Sequence, residues 1–145
     1  MSTPIINGII LTPLRQIRHP QGDVFHGMKK SDAGYESFGE AYFSTIKKND
    51  IKEWRKHLEM TLNLVVPVGK IRFVVFDDRE ASPTKGCFNE FVLSLENYAR
   101  LTVPPQLWMA FQGLDEQNLL LNMANQEHRP EEIERKSLNK IMYHW

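Results

Sequence analysis

Residues 61–79, TLNLVVPVGKIRFVVFDDR, constrain the fold more than any other part of the chain. They contain two short runs of apolar and β-branched residues, 64–66 and 71–76, which a proline and a glycine separate. Neither run has the length of a globular helix, and β-branched and aromatic residues favour strands. Both runs are too apolar for an edge strand. We therefore predict two strands and a tight turn, paired as a hairpin near the centre of a sheet.

The rest of the chain repeats this pattern of short strand candidates between turn signals. Roughly ten such segments, with turns at intervals of about 8 to 12 residues, indicate an antiparallel sandwich or barrel. One helix is predicted over residues 130–138, because Pro130 suits a first helical turn and Glu131 and Glu132 complement the helix dipole. No repeat or linker interrupts the sequence. Residues 1–145 are thus predicted to form a single all-β domain, a small barrel or jelly roll with a short C-terminal helix.

Composition and charge argue against several classes of partner. The 145 residues are 41% hydrophobic and 25% charged, as in ordinary globular domains. Because 18 basic residues balance 18 acidic ones, a basic surface for nucleic acid is not expected. No apolar run approaches the roughly 20 residues that span a bilayer, and the N-terminus lacks a signal-peptide pattern. We expect a cytoplasmic protein without a membrane partner, which the single cysteine, Cys87, also fits.

The histidines do not suggest a metal site. None of the five is part of an H-x-H motif or of a cluster with metal-ligand spacing. They are His19, His26, His57, His128 and His144. We therefore expect neither a metal nor another cofactor, and Cys87, in a loop beside a strand, is not interpreted as a nucleophile.

Two motifs in the second half of the chain have a characteristic order. Residues 77–86 read D-x-R-x-x-S-P-T-x-G, and residues 91–113 carry L-S-x-E-N followed by V-P-P and an aromatic-rich strand. With the turn at Gly69, they give residues 38–138 a resemblance to the dTDP-4-dehydrorhamnose 3,5-epimerase family. The resemblance implies a cupin-type jelly roll (double-stranded β-helix). It also implies a homodimer and a pocket for a nucleotide-linked keto sugar.

The reaction of that family moves a proton beside a ketone, which needs a base, an acid on the other face and a group that stabilises the enolate. The family supplies a histidine, a lysine and a tyrosine. Counted without gaps, these positions fall on Arg55, Asn63 and Asn122, and a further family histidine is replaced by Met109. In the family, the acidic partner of the histidine lies near the usual C-terminus, and this sequence, which ends at Trp145, stops short of that position.

His57 is the alternative base, since the guanidinium of Arg55 stays protonated at physiological pH. His57 follows Arg55 by two residues, so both share one face of a regular strand. A bulge or a two-residue slip would bring His57 to the base position, with Lys52 as the nearby cation. The competing interpretation is a surface or partly buried histidine on a strand whose Lys52 and Arg55 form a solvated charged face.

The remaining candidates are substrate-binding residues. Asn63 and Asn122 are predicted to orient the sugar, because an amide on an interior strand needs a polar partner. Arg79, paired with Asp77, and Trp54 are placed beside the pocket. Trp54 is also compatible with the core, the interpretation favoured for Tyr42, Trp108 and Phe111.

Two functions remain open at this point. The first is an epimerase or isomerase acting on a nucleotide-linked 4-keto hexose in polysaccharide biosynthesis. His57 would be its proton-transfer residue, and Lys52 and Arg55 would stabilise negative charge. The second is a non-catalytic binding or scaffold protein that keeps the jelly roll but has lost the epimerase residues.

Overall fold

The computed structural model describes residues 3–145, whose regular secondary structure is almost entirely β-strand. The strands are β1 (Ile10–Pro13), β2 (Gln16–Ile17), β3 (Val24–Phe25), β4 (Glu40–Thr45), β5 (Ile51–His57), β6 (Leu62–Val68), β7 (Lys70–Phe76), β8 (Phe88–Ser94), β9 (Ala99–Val103), β10 (Trp108–Gly113), β11 (Leu119–Ala124) and β12 (Ile133–Lys136). Two 3₁₀ turns, Pro130–Glu132 and Leu138–Lys140, flank β12. Neither helical segment in the described part of the chain has the length and apolarity to cross a bilayer.

Two five-stranded antiparallel sheets pack face to face. Sheet I has the order β1-β9-β6-β11-β4, sheet II has the order β12-β5-β10-β7-β8, and β2 and β3 form a separate ribbon. Most strands that follow each other in the chain, such as β5 and β6, lie in different sheets, whereas β7 and β8 are neighbours within sheet II. This alternation between two sheets is the topology of a jelly roll, and the predicted all-β fold is confirmed.

The hairpin predicted over residues 64–76 has the right strands but the wrong pairing. β6 pairs with β9 and β11, whereas β7 pairs with β8 and β10. Gly69 lies between them at a φ of +82°, where an added Cβ would stand 2.0 Å from the carbonyl oxygen of Gln117. The backbone therefore crosses from sheet I to sheet II at Gly69. Each of the two strands has neighbours on both sides, as its apolar sequence requires.

Sheet II is apolar on both faces, which explains the uninterrupted apolar run in β7. Phe73 and Val75 belong to the core between the sheets, and Val74 belongs to a second cluster on the outer face. Trp54 and Trp108 lie in this outer cluster, which is covered by residues of the C-terminal segment: Leu138, Ile141, Tyr143 and Trp145. We call this group the outer aromatic cluster.

The helix predicted over residues 130–138 is wrong. Only the 3₁₀ turn Pro130–Glu132 forms, and the chain continues as β12, paired antiparallel with β5. A helix shorter than about 12 residues is marginal in water, so tertiary contacts decide its fate. Here the open edge of β5 supplies backbone partners, and the side chain of Glu132 turns inward to 3% exposure instead of facing solvent.

Replacement of Gly69 tests the crossover between the sheets. Gly69→Ala is expected to lower the free energy of unfolding by about 3 kcal/mol, because a left-handed residue with a Cβ is strained and this Cβ also collides. Gly86→Ala is the matched control: the φ of Gly86 is +88°, yet no atom of the described residues lies within 4 Å of an added Cβ. It is expected to lose about 1–2 kcal/mol. Equal losses in urea denaturation would contradict the proposed crowding.

Candidate active site

A cavity of about 150 Å³ lies between the two sheets. Its apolar wall includes Leu62 and Leu64 from β6 and Met109 and Phe111 from β10. The polar and charged residues that line it are Tyr42, Ser44, Lys52, Glu53, Arg55, His57 and Asn122. A few polar groups that converge on an apolar recess are typical of small-molecule sites.

A bulge in β5 brings three of these polar residues to the same side. In the ladder with β10, Arg55 pairs with Met109 but Lys52 pairs with Phe111, so β5 uses one residue more than its partner. An extra residue shifts the alternation of side chains across a strand. Lys52 therefore joins Arg55 and His57 at the cavity. The structure thus unites the three residues that the sequence analysis proposed as catalytic.

His57 is paired with a buried carboxylate. Its Nδ1 lies 2.6 Å from Oε1 of Glu132, and the two side chains are 14% and 3% exposed. The other oxygen, Oε2, accepts the backbone N–H groups of Glu59 at 3.1 Å and Met60 at 3.3 Å. Because the carboxylate accepts a hydrogen from Nδ1, the free lone pair of a neutral His57 is on Nε2.

Glu132 is ionised at neutral pH in this environment. Burial opposes its charge, but hydrogen bonds from His57 and from the backbone of Glu59 and Met60 outweigh burial, so the pKa of Glu132 lies below its ordinary value. A fixed carboxylate of this kind orients an imidazole and stabilises the imidazolium that forms when the ring takes a proton.

Neither the sequence pattern nor the family resemblance predicts this role for Glu132. The pattern assigns Glu132 to the start of a helix, and the resemblance implies an acidic partner near the family's C-terminus. An acidic residue two positions after Pro130 fits a helix start as well as it fits a buried partner of the histidine, so the local sequence does not distinguish the two. Only the pairing of Ile133 with His57 brings the carboxylate to the imidazole.

Lys52 and Arg55 give the cavity a positive edge. Lys52 donates from Nζ to the carbonyl oxygen of Thr45 at 2.9 Å and lies 5.6 Å from the ring centroid of Phe111. Burial and the charge of Arg55 both lower the pKa of Lys52. Neither cation forms an ion pair with an acidic residue within residues 3–145. An anionic group of a ligand would meet two cations that lack a protein counter-ion.

Asn122 lines the cavity as the sequence analysis proposed, and it contacts a tyrosine. Its Nδ2 donates to the hydroxyl oxygen of Tyr42 at 2.9 Å, and the two residues are direct cross-strand partners on β11 and β4. Tyr42 was expected in the core, but it is 44% exposed and lies at the cavity. The buried Oδ1 of Asn122 has no hydrogen-bond partner among the described residues.

Three residues proposed for substrate binding lie elsewhere. Leu62 and Leu64 face inward, so the alternation of β6 turns Asn63 outward, where it contacts Gly34 and Thr102. Trp54 faces the outer aromatic cluster, because it lies on the other side of β5 from Arg55. Arg79 is engaged by Asp77 and by the carbonyl oxygen of Asn7. None of the three is a lining residue of the cavity.

Comparison with solved structures relates the chain to enzymes that act on nucleotide sugars. It superposes on a dTDP sugar isomerase from Desulfovibrio desulfuricans with a TM-score of 0.87 and 38% identity, covering 90% of this chain and 85% of the other. It also superposes on a dTDP-4-dehydrorhamnose 3,5-epimerase from Sulfolobus tokodaii with a TM-score of 0.84 and 24% identity, over 94% of this chain and 81% of the other. The predicted cupin-type jelly roll is confirmed.

A curated relative adds a match in sequence. Over 84 residues the chain is 34% identical to the probable low-salt glycan biosynthesis epimerase Agl13 of Haloferax volcanii. The match covers 57% of this chain and 54% of the relative, so the chain spans about half the length of that protein. No family model matches the sequence.

The stability of the protein should depend on the charge of Glu132. We expect Glu132→Gln to lower the free energy of unfolding by about 1–3 kcal/mol at pH 7, since three donors lose a charged acceptor. The pKa of Glu132 is depressed by folding from its ordinary 4.5. The stabilisation that the charged carboxylate provides is therefore complete above pH 4.5. It is lost as the pH falls through the lower pKa of Glu132 in the folded protein.

Urea denaturation at pH 7, 5 and 3 measures this dependence, and the difference between wild type and Glu132→Gln should shrink toward pH 3. Glu131→Gln is the matched control, because the Glu131 side chain is 69% exposed, and it should change stability by less than about 0.5 kcal/mol. An unchanged difference at all three pH values would contradict an ionised, stabilising Glu132.

Proposed function

Since this chain belongs to the dTDP-4-dehydrorhamnose 3,5-epimerase family, we propose that it is an epimerase or isomerase that moves a proton beside the ketone of a nucleotide-linked 4-keto hexose. The observation that carries the proposal is the buried pair of His57 and Glu132 at the cavity. A histidine whose one nitrogen is fixed by a carboxylate is suited to accept a proton with the other.

His57 is the base in this proposal. A hydrogen on a carbon next to a ketone is acidic because its loss gives an enolate. The free Nε2 of His57 takes that proton, and the carboxylate of Glu132 balances the positive charge of the imidazolium. Within residues 3–145, the carboxylate of Glu132 forms hydrogen bonds with His57 and with the backbone N–H groups of Glu59 and Met60, so Glu132 is a positioning residue for the base.

Lys52 and Arg55 bind different negatively charged groups of the substrate in this proposal. Lys52, held by the carbonyl of Thr45, stabilises the enolate oxygen. Arg55 is exposed at the cavity and binds the diphosphate. A cavity of about 150 Å³ is well below the roughly 300–1,000 Å³ of pockets that enclose drug-sized ligands. The sugar ring therefore enters the cavity, and the nucleotide lies outside it.

A non-catalytic binding protein is the second candidate, and one observation favours it. The positions of the family's lysine and tyrosine hold Asn63 and Asn122, and Met109 replaces a further histidine. A protein of this kind would bind the same nucleotide sugar without transferring a proton.

Exchange with deuterated solvent separates the two candidates. The protein is incubated in D₂O with dTDP-linked and GDP-linked 4-keto-6-deoxyhexoses, and NMR follows deuterium at the carbons beside the ketone. We expect exchange with at least one of them, and a loss of about 100-fold or more in His57→Ala, because a positioned base contributes this much. Glu132→Gln should lose about 10- to 100-fold.

His128→Ala is the matched control, since this histidine does not line the cavity, and it should keep the wild-type rate. Binding of these sugars by the wild type without any exchange would refute the enzyme and support the binding protein. An undiminished rate in His57→Ala would place the base on another residue.

We also infer a homodimer in the cytoplasm. Each sheet leaves two edge strands, β1 and β4 in sheet I and β12 and β8 in sheet II. Pairing through such an edge satisfies its free backbone groups and prevents aggregation. The free Cys87 is compatible with a reducing compartment. Light scattering should give about twice the monomer mass of 16.9 kDa, and a monomer at every concentration would contradict the dimer.

A further inference from the structure

Gln106 adopts a backbone conformation that most side chains disfavour. Its φ is +73°, and within residues 3–145 the other non-glycine residue with a positive φ is Asn49, at +70°. A left-handed residue with a Cβ is strained, because the Cβ approaches the following carbonyl oxygen. Such strain persists only where the surrounding structure compensates for it. The contacts of Gln106 therefore show what the strained conformation provides.

Two donors of Gln106 bind the end of the strand that carries the candidate base. The backbone N–H of Gln106 donates to the carbonyl oxygen of His57 at 2.7 Å, and Nε2 of its side chain donates to the carbonyl oxygen of Leu58 at 2.9 Å. These consecutive carbonyl groups lie where β5 ends and the chain turns toward β6. Gln106 thus holds the two peptide groups that follow His57 in the chain.

Glu132 holds the same turn through its other backbone groups. The carbonyl oxygen of Glu132 accepts the N–H of Leu58 at 2.8 Å, and its carboxylate accepts the next two backbone N–H groups. Glu132 therefore binds the backbone hydrogens of this turn, whereas Gln106 binds its oxygens. Because Oε1 of Glu132 also contacts the imidazole of His57, the position of this turn sets the geometry of the base.

The length of the glutamine side chain explains why this residue type occupies a left-handed position. Glycine and asparagine adopt a positive φ with less strain. Glycine has no side-chain donor, however, and the amide of asparagine is one methylene group closer to the backbone. The longer side chain of Gln106 reaches the carbonyl oxygen of Leu58. A contact beside the candidate base thus offsets the backbone strain.

We propose that Gln106 is a positioning residue for proton transfer, which holds the turn after β5 so that Nδ1 of His57 stays on Glu132 and Nε2 stays free for the substrate. The inference rests on the proposed function of His57. Gln106 is not a lining residue of the cavity, so it acts through the backbone of the base and not by contact with the sugar.

Gln106→Gly tests this role without adding strain. Glycine accepts the positive φ and keeps the backbone N–H, so relief of strain offsets the lost side-chain bond and the urea midpoint should stay near that of the wild type. The substrate is whichever of the dTDP-linked and GDP-linked 4-keto-6-deoxyhexoses exchanges with the wild type. NMR in D₂O should show exchange slowed about 3- to 10-fold, because a displaced base transfers protons more slowly. The half-saturating sugar concentration should stay within about twofold.

The imidazole provides a second readout that needs no substrate. In protein labelled with ¹⁵N-histidine, the Nδ1–H that His57 donates to Glu132 should give a resonance that is absent from His57→Ala. In Gln106→Gly the hydrogen behind this resonance should exchange with water about threefold faster or more, since a less restrained turn opens more often.

Gln106→Glu is a second variant, with a side chain of equal length. A carboxylate accepts hydrogen bonds but does not donate them, so this variant also loses the bond to Leu58 and should slow exchange by about 3-fold or more. Asn49→Gly is the matched control, because it removes the other left-handed side chain from a residue outside the cavity. It should keep the wild-type exchange rate and imidazole resonance.

A wild-type exchange rate and an unchanged imidazole resonance in Gln106→Gly would overturn the role of Gln106 and leave the proposed function intact. A slower rate caused by weaker binding of the sugar would also overturn it, because Gln106 would then act on the ligand. Absence of exchange in the wild-type protein would instead refute the proposed function, and the imidazole resonance would still decide whether Gln106 restrains His57.

Discussion

The geometry of the candidate active site depends on the hydrogen bonds that the buried carboxylate of Glu132 accepts. Besides binding His57, it accepts backbone hydrogens from Glu59 and Met60, and the carbonyl oxygen of Glu132 accepts the N–H of Leu58. One residue thus fixes the imidazole, the turn between β5 and β6 and the start of edge strand β12. Burial of a charge is costly, and here three donors offset that cost while they build the site.

The outer face of sheet II supports the residues on its inner face. Trp54 is fully buried in the outer aromatic cluster, directly before the cavity residue Arg55. Trp108 donates its Nε1 to Asp78 at 2.9 Å, and Lys56 lies 4.8 Å from its ring centroid. These contacts anchor β5 and β10 from behind, so the side chains that point into the cavity project from a rigid support.

Much of the fold followed from period-two patterns and turn residues. Strands β6 and β7 and the turn at Gly69 were predicted, because apolar runs and glycines are local signals. The predicted pairing of β6 with β7 is wrong, since a hairpin and a crossover between two sheets can have the same local sequence. The helix at 130–138 failed for a similar reason: the free edge of β5, distant in sequence, decided the structure of that segment.

For the site, the sequence by itself determined that Arg55 and His57 share one face, because side chains alternate along any strand. It also identified Lys52 and Asn122 as polar candidates on strands. Only the tertiary structure decided which residues meet them. Glu132 lies 75 positions from His57, and Tyr42 lies 80 positions from Asn122. Such pairs form because the register of the sheets brings distant strands side by side, and register is a property of the packed sandwich, not of either segment alone.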